Sequence, residues 1–131
     1  MLNDKQRLFN KGNKMKILLA TDGETLESKI AKRFGHANYY LIYDNVSKEI
    51  EVRVNHGHED SHSGLIDLAD EGVTIFIVGN IGPNAFKVLN NKNTKVYLAR
   101  KYIARDALDK FIDNKLEELT TPTLKRSIEG H

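Results

Sequence analysis

The sequence predicts an α/β domain with a mixed five-stranded sheet and helices on both faces. Three observations carry that expectation. The run Thr74-Ile75-Phe76-Ile77-Val78 is continuous in β-formers, as in strands of parallel sheets that helices cover on both sides. Met15 to Thr21 is a second largely apolar run, so it too reads as central. Lys48 to Asn55 alternates cleanly between apolar and charged residues, the pattern of an antiparallel strand near an edge with one wet face.

In chain order, residues 1–14 carry basic groups and little apolar surface and read as a flexible extension. The first strand, Met15 to Thr21, ends at the turn signal Asp22-Gly23. Glu24 to Lys32 has weak helical character, with Ile30, Ala31 and Phe34 directed to the core. The loop Phe34-Gly35-His36-Ala37 leads into the aromatic strand Asn38 to Tyr43. In the next strand Ile50, Val52 and Val54 are expected inward and Glu49, Glu51 and Arg53 outward. Those charges would discourage edge-to-edge pairing. A polar loop, His56 to Ser63, precedes an amphipathic helix over Gly64 to Glu71, and Gly72 suits the residue just past its end. After the strand Thr74 to Val78, Gly79 closes the run, and Gly82-Pro83 opens a helix with proline at its first position. Thr94 to Ala99 is the last strand and Ile103 to Leu116 the last long helix. Thr121-Pro122 would cap one more short helix through Leu124 and Ile128. The order β-β-β-α-β-α-β-α, with the last two strands entering by right-handed crossovers, is the topology of a ribonuclease-H-like fold. It divides the chain into an extension (1–14), a domain (15–116) and a tail (117–131). The loops after Thr21 and Val78 would then lie side by side.

Bulk properties exclude several classes. A chain of 131 residues fits one domain with one core. With 40% hydrophobic and 29% charged residues it is a globular composition. The net charge of +2 comes from intermixed basic and acidic residues, which points away from nucleic acid. No apolar run reaches the length of a membrane span, and the polar N-terminus has no signal-peptide core, so a cytoplasmic protein is expected. With no cysteine, thiolate nucleophiles, disulfides and thiolate-held clusters are excluded.

Met15-Lys16-Ile17 through Asp22-Gly23, Phe34-Gly35-His36-Ala37 with its aromatic strand, His62-Ser63-Gly64 before a helix, and Gly79-Asn80-Ile81-Gly82-Pro83-Asn84-Ala85-Phe86 together resemble the dinitrogenase iron–molybdenum cofactor biosynthesis family. The glycine-proline segment is the most specific of these pieces. The resemblance covers about Met15 to Leu116. It implies a small ribonuclease-H-like domain acting as a cofactor carrier. Its cargo would be an iron–sulfur or iron–molybdenum cofactor precursor, and its partners cofactor-assembly proteins. Where that family commonly has arginine in the Phe-Gly-x-Ala loop, this sequence has His36.

The residues supply their own ligand logic. His36, His56, His58 and His62 are the candidate metal ligands, since neutral imidazole suits borderline metals. The plain alternative is a solvated loop whose histidines titrate near neutrality. Asp22, Gly23, His36, Gly79, Asn80 and Gly82 are the candidate cofactor-binding residues. In an open α/β sheet, ligands sit beyond the carboxyl ends of strands. Amides at Asn80, Ile81 and the following helix start would face an anionic small ligand or cluster. The expected site has the glycine loop as floor, Asp22-Gly23 as one wall and the histidine loop as lid. The glycine loop lacks the lysine and spacing of a nucleotide-phosphate loop. No catalytic residues are nominated. Three functions stand beside one another: a metal-cluster carrier, a non-catalytic interaction module, and a metal-dependent phosphodiesterase or nuclease. The last would need further carboxylates converging with Asp22.

Overall fold

The computed structural model describes residues 15–55 and 63–124. Strands β1 (Lys16–Thr21), β2 (Tyr39–Asp44) and β3 (Ile50–Val54) form the antiparallel meander. They are followed by α1 (Ser63–Asp70), β4 (Val73–Val78), α2 (Pro83–Asn91), β5 (Lys95–Leu98), α3 (Ala104–Ile112) and β6 (Glu117–Glu118). The sheet order is β3-β2-β1-β4-β5-β6. The first and fourth strands are parallel neighbours, as are the fourth and fifth. The loops after Thr21 and Val78 therefore leave the sheet at the same end, as the sequence predicts.

The sheet has six strands, not the expected five. The sixth comes from residues assigned to the tail and pairs antiparallel with β5. The last helix ends at Ile112, short of the expected Leu116, and Asn114 adopts a left-handed conformation with φ 61° that reverses the chain. Leu116 and Leu119 are then buried, and the Leu119 N–H donates to the Val96 carbonyl at 2.8 Å. Two apolar anchors thus pin a pair of glutamates into the sheet. Leu124 lies in no helix, and Ile128 falls outside the described residues.

The sheet divides the interior into two layers. On one face Leu65 and Leu68 of α1 and Phe86 and Leu89 of α2 pack over Leu18, Ala20, Phe76, Val78 and Val96. On the other, Ala104, Ala107, Leu108 and Phe111 of α3 pack over Ile17, Leu19, Ile75, Ile77 and Tyr97. This explains why β1 and β4 read as unbroken apolar runs: both of their faces are covered. Among the described residues no helix is long and apolar enough to cross a membrane.

The orientation expected for β3 is corrected. Ile50, Val52 and Val54 are 37%, 42% and 56% exposed rather than inward. They share the face of their β2 partners Tyr43, Leu41 and Tyr39, and α3 packs over the far side of that face. Arg53, on the opposite face, forms an ion pair with Glu71 at the end of α1 and with Glu51 at 2.5 Å. The Arg53 contact holds the Glu71 carboxyl below its ordinary range.

Residues 24–33 are corrected as well: a turn closed by the Ser28 N–H to Thr25 O leads into an extended strap, with no helix. Ile30 bridges antiparallel to Thr21, Lys29 to Ile103, and Arg33 bridges parallel to Asn80. The Glu, Leu, Lys and Ala residues there suit a helix, but the neighbouring strand ends offer the backbone partners that override propensity. Ile30, Ala31 and Phe34 are nonetheless buried as expected.

Burial raises the pKa of Tyr40 above the ordinary tyrosine range, and burial with the nearby Glu118 carboxylate does the same for Tyr97. The folded state therefore keeps protons that the unfolded state loses above about pH 10. Stability should fall as pH rises through that value, by up to about 1.4 kcal/mol per pH unit for each group. Urea titrations at pH 8 to 11 check this. Tyr97→Phe should flatten the alkaline slope, and an unchanged slope would refute the assignment.

Candidate functional site

The carboxyl ends of β1, β4 and β5 lie side by side, the place where open α/β sheets bind ligands. The strap crosses all three. Its Ala31 N–H donates to Ala20 O at 2.9 Å, the Asn80 N–H donates to Lys32 O at 2.8 Å, and Ile30 N–H donates to Tyr102 O at 2.9 Å. Beyond β5, the Ala104 and Arg105 amides donate to Ser28 O and Leu26 O, both at 2.8 Å. Arg105 also meets Glu27 through Nε to Oε2 at 2.5 Å, which lowers the Glu27 carboxyl pKa.

This strap explains Gly79. A Cβ there would lie 2.2 Å from Ala31 O and 2.7 Å from Lys32 O. The glycine is needed for the close backbone approach of the strap. Gly23 is similarly close-packed, with Ser28 Oγ 2.4 Å from where its Cβ would stand.

The expected amide cradle is corrected at two positions. The Asn80 N–H is used by Lys32 O, and the Ile81 N–H donates to Thr123 Oγ1 at 2.8 Å. Thr123 and Leu124 donate in turn to Ile81 O at 3.0 and 3.1 Å. The glycine loop is therefore bonded from one side by the strap and from the other by the segment after β6. Gly82 remains the residue that caps α2 at its N-terminus, and no side chain bonds there as a cap.

The other nominated residues lie in segments tied to the strap or to this loop. Phe34 N–H donates to Asn80 O at 2.7 Å, which sets the 3-10 turn Phe34–His36 beside Asn80. His36 in that turn is exposed. Asp22, also exposed, is tied to the same region: its carbonyl accepts from Asn38 Nδ2 at 3.0 Å and its N–H donates to Lys29 O. The turn at Asp22-Gly23 is closed by Thr21 Oγ1, which donates to Gly23 O at 2.8 Å. His56, His58 and His62 lie outside the described residues. Among the described residues no group of three or more His, Cys, Asp or Glu side chains could hold a metal ion.

Two cations at this end escaped the sequence reading. Arg100 Nη1 lies 3.4 Å from Asn80 Oδ1, and Arg33 bridges to Asn80 through its backbone. Arg100 begins the loop after β5, so the strand-end rule could have nominated it. Arg33 carried no spacing signal. The end of the sheet thus combines the exposed His36, the Arg100 guanidinium and the Asn80 amide side chain, with Arg33 held there through its backbone. That set can hold an anion, or donate an imidazole to a metal whose other ligands come from elsewhere.

Fold and site define a small α/β domain with a polar, partly cationic strand-end surface. Residues 15–114 match the family described as dinitrogenase iron-molybdenum cofactor. The chain is 30% identical over 113 residues to an uncharacterized protein of Methanocaldococcus jannaschii, covering 79% of this chain and 91% of that protein. A Thermotoga structure assigned to the DUF35 family is 34% identical, with a TM-score of 0.74 over 84% of this chain and 97% of that one. The apo form of the orange protein from Desulfovibrio gigas has the same fold, with a TM-score of 0.73, 24% identity, and coverage of 82% and 94%. The chain belongs to the dinitrogenase iron–molybdenum cofactor family.

Proposed function

We propose that this protein is a small cytoplasmic carrier that binds a metal cluster or its precursor for cofactor assembly, without catalysing a reaction on it. The observation that carries the reading is the meeting at Asn80 of the Arg100 guanidinium, the Arg33 backbone and the turn that holds the exposed His36. Iron–sulfur and iron–molybdenum precursors are anionic, so guanidinium groups would attract them while imidazole supplies a ligand. Without cysteine in the chain the cargo would be held loosely, which suits a protein that must give it up. His56, His58 and His62 would complete the ligand set. The ribonuclease-H-like reading of the topology belongs to the same proposal and is supported by the strand order β3-β2-β1-β4-β5.

Anaerobic reconstitution with ferrous iron, sulfide and molybdate, followed by desalting, metal analysis and a visible spectrum, tests it. The full chain should retain metal. Alanine at His36, His58 and His62 together should abolish retention, because the imidazole ligands themselves are lost. Alanine at Arg33 and Arg100 should make retention weaker and less salt-sensitive. No uptake by the full chain, or equal uptake by the triple variant, would overturn the proposal.

The second reading, a non-catalytic interaction module, has the exposed apolar stripe of β3 in its favour. A stable partner retained by the triple histidine variant would support that module instead.

A further inference from the structure

We propose that β3 is a homodimerisation edge, pairing antiparallel with β3 of a second copy about a two-fold axis at Val52. It is the outermost strand of the sheet, and its apolar side chains Ile50, Val52 and Val54 are substantially exposed. Its backbone polarity follows from two bonds. The Asp44 N–H donates to Glu49 O at 3.0 Å, and the Asn55 N–H donates to Asn38 O at 2.9 Å. In an antiparallel ladder the bonded pairs alternate. Glu49, Glu51, Arg53 and Asn55 therefore turn their backbone groups toward β2. Ile50, Val52 and Val54 turn theirs toward the open edge, beyond which no strand lies among the described residues.

The occupant is identified by charge. A partner strand must oppose even-numbered residues to even-numbered ones, so that both backbones face each other and the apolar side chains share one face. With the two-fold at Glu51, Glu51 meets its own copy, and with the two-fold at Arg53, Arg53 does. Like charges directly opposite are destabilising. With the two-fold at Val52, Ile50 meets Val54, Val52 meets Val52, and Glu51 of each copy meets Arg53 of the other. That register sets Glu51 of each copy against Arg53 of the other in the non-hydrogen-bonded positions, where side chains come closest, so the two intermolecular contacts extend the Glu51–Arg53–Glu71 network each copy already holds. The same charges that disfavour the neighbouring registers complement one another in this one. The strand is short, so the interface is smaller than a standard one and the association is weak.

Sedimentation velocity of the full chain over a concentration series tests this. A concentration-dependent monomer–dimer equilibrium is expected. Val52→Pro removes an N–H directed at the open edge, which a monomer's edge strand tolerates. That variant should keep its circular dichroism spectrum and stay monomeric. Glu51→Lys and Arg53→Glu each place like charges opposite one another and should each weaken self-association about tenfold. When the two variants are mixed, the introduced lysine of one faces the introduced glutamate of the other, and the retained Arg53 faces the retained Glu51. The mixture should form a heterodimer at wild-type strength. The proposal is overturned if the wild type is monomeric up to about 1 mM, if folded Val52→Pro dimerises like the wild type, or if the mixed variants associate no better than each alone.

Discussion

Gly79→Ala should lower the unfolding free energy by about 3 kcal/mol, the upper end of the usual cost of overpacking. The added carbon would stand 2.2 Å from a backbone carbonyl oxygen, that of Ala31, and 2.7 Å from the next, that of Lys32. Relief cannot come from rotating a side chain. It requires moving the strap, and the strap carries the bond from the Asn80 N–H to Lys32 O and the Arg33–Asn80 bridge. Urea denaturation monitored by circular dichroism measures the loss. A change below about 1 kcal/mol would mean that the strap yields easily, so that close approach is not what selects glycine here. The variant should also retain less metal in the reconstitution assay, because displacing the strap shifts Arg33 away from Asn80.

Phe34→Ala should cost about 3–5 kcal/mol, as expected for deleting a buried aromatic ring. Phe34 is 3% exposed, stacks on Tyr40 with ring centroids 5.8 Å apart, and meets Phe76 edge-on at 6.4 Å. Its backbone N–H is also the bond that fixes the 3-10 turn to Asn80 O. The substitution thus empties part of the core and loosens the turn that carries His36. Phe34→Leu separates the two effects. It keeps much of the volume and should recover most of the stability and the placement of His36. Equal losses in both variants would show that the aromatic contacts, rather than filled volume, hold the turn.

The central sheet was legible because β1 and β4 are covered on both faces, and such strands show as continuous apolar runs. The pairing of β1 with β4 followed from the order of elements and the handedness of crossovers. β3 shows where pattern reading stops. Alternation reveals that Ile50, Val52 and Val54 share a face, but not which face the helices cover. That depends on the layer around α3 reaching Leu41 and Tyr43 of β2 but not β3, a fact of tertiary arrangement. β6 was invisible because its residues are Glu117 and Glu118. What holds it is Leu116 and Leu119 on either side. The strap was invisible for another reason: main-chain groups bond it to the strand ends, and these leave little trace in residue type. Asp22, His36 and Asn80 were nominated from their place after strands and in marked loops. Arg33 and Arg100 became visible only when the strap and the loop after β5 were seen to meet Asn80. The amide cradle failed because the acceptors that occupy it, Lys32 O and Thr123 Oγ1, are remote in sequence from the glycine loop.

The strap's attachment through its backbone has an evolutionary consequence. Bonds from Ala31, Ile30, Asn80, Ala104 and Arg105 use main-chain atoms on both sides, so they survive replacement of the side chains at Lys29, Lys32 and Arg33. Under the proposed function, those are positions whose charge would bear on what the strand ends attract. Mutation would then alter preference for a ligand at this edge while the architecture beneath stays constant. Descendants of one ancestral domain could diverge in cargo through a few surface substitutions, with little penalty in folding.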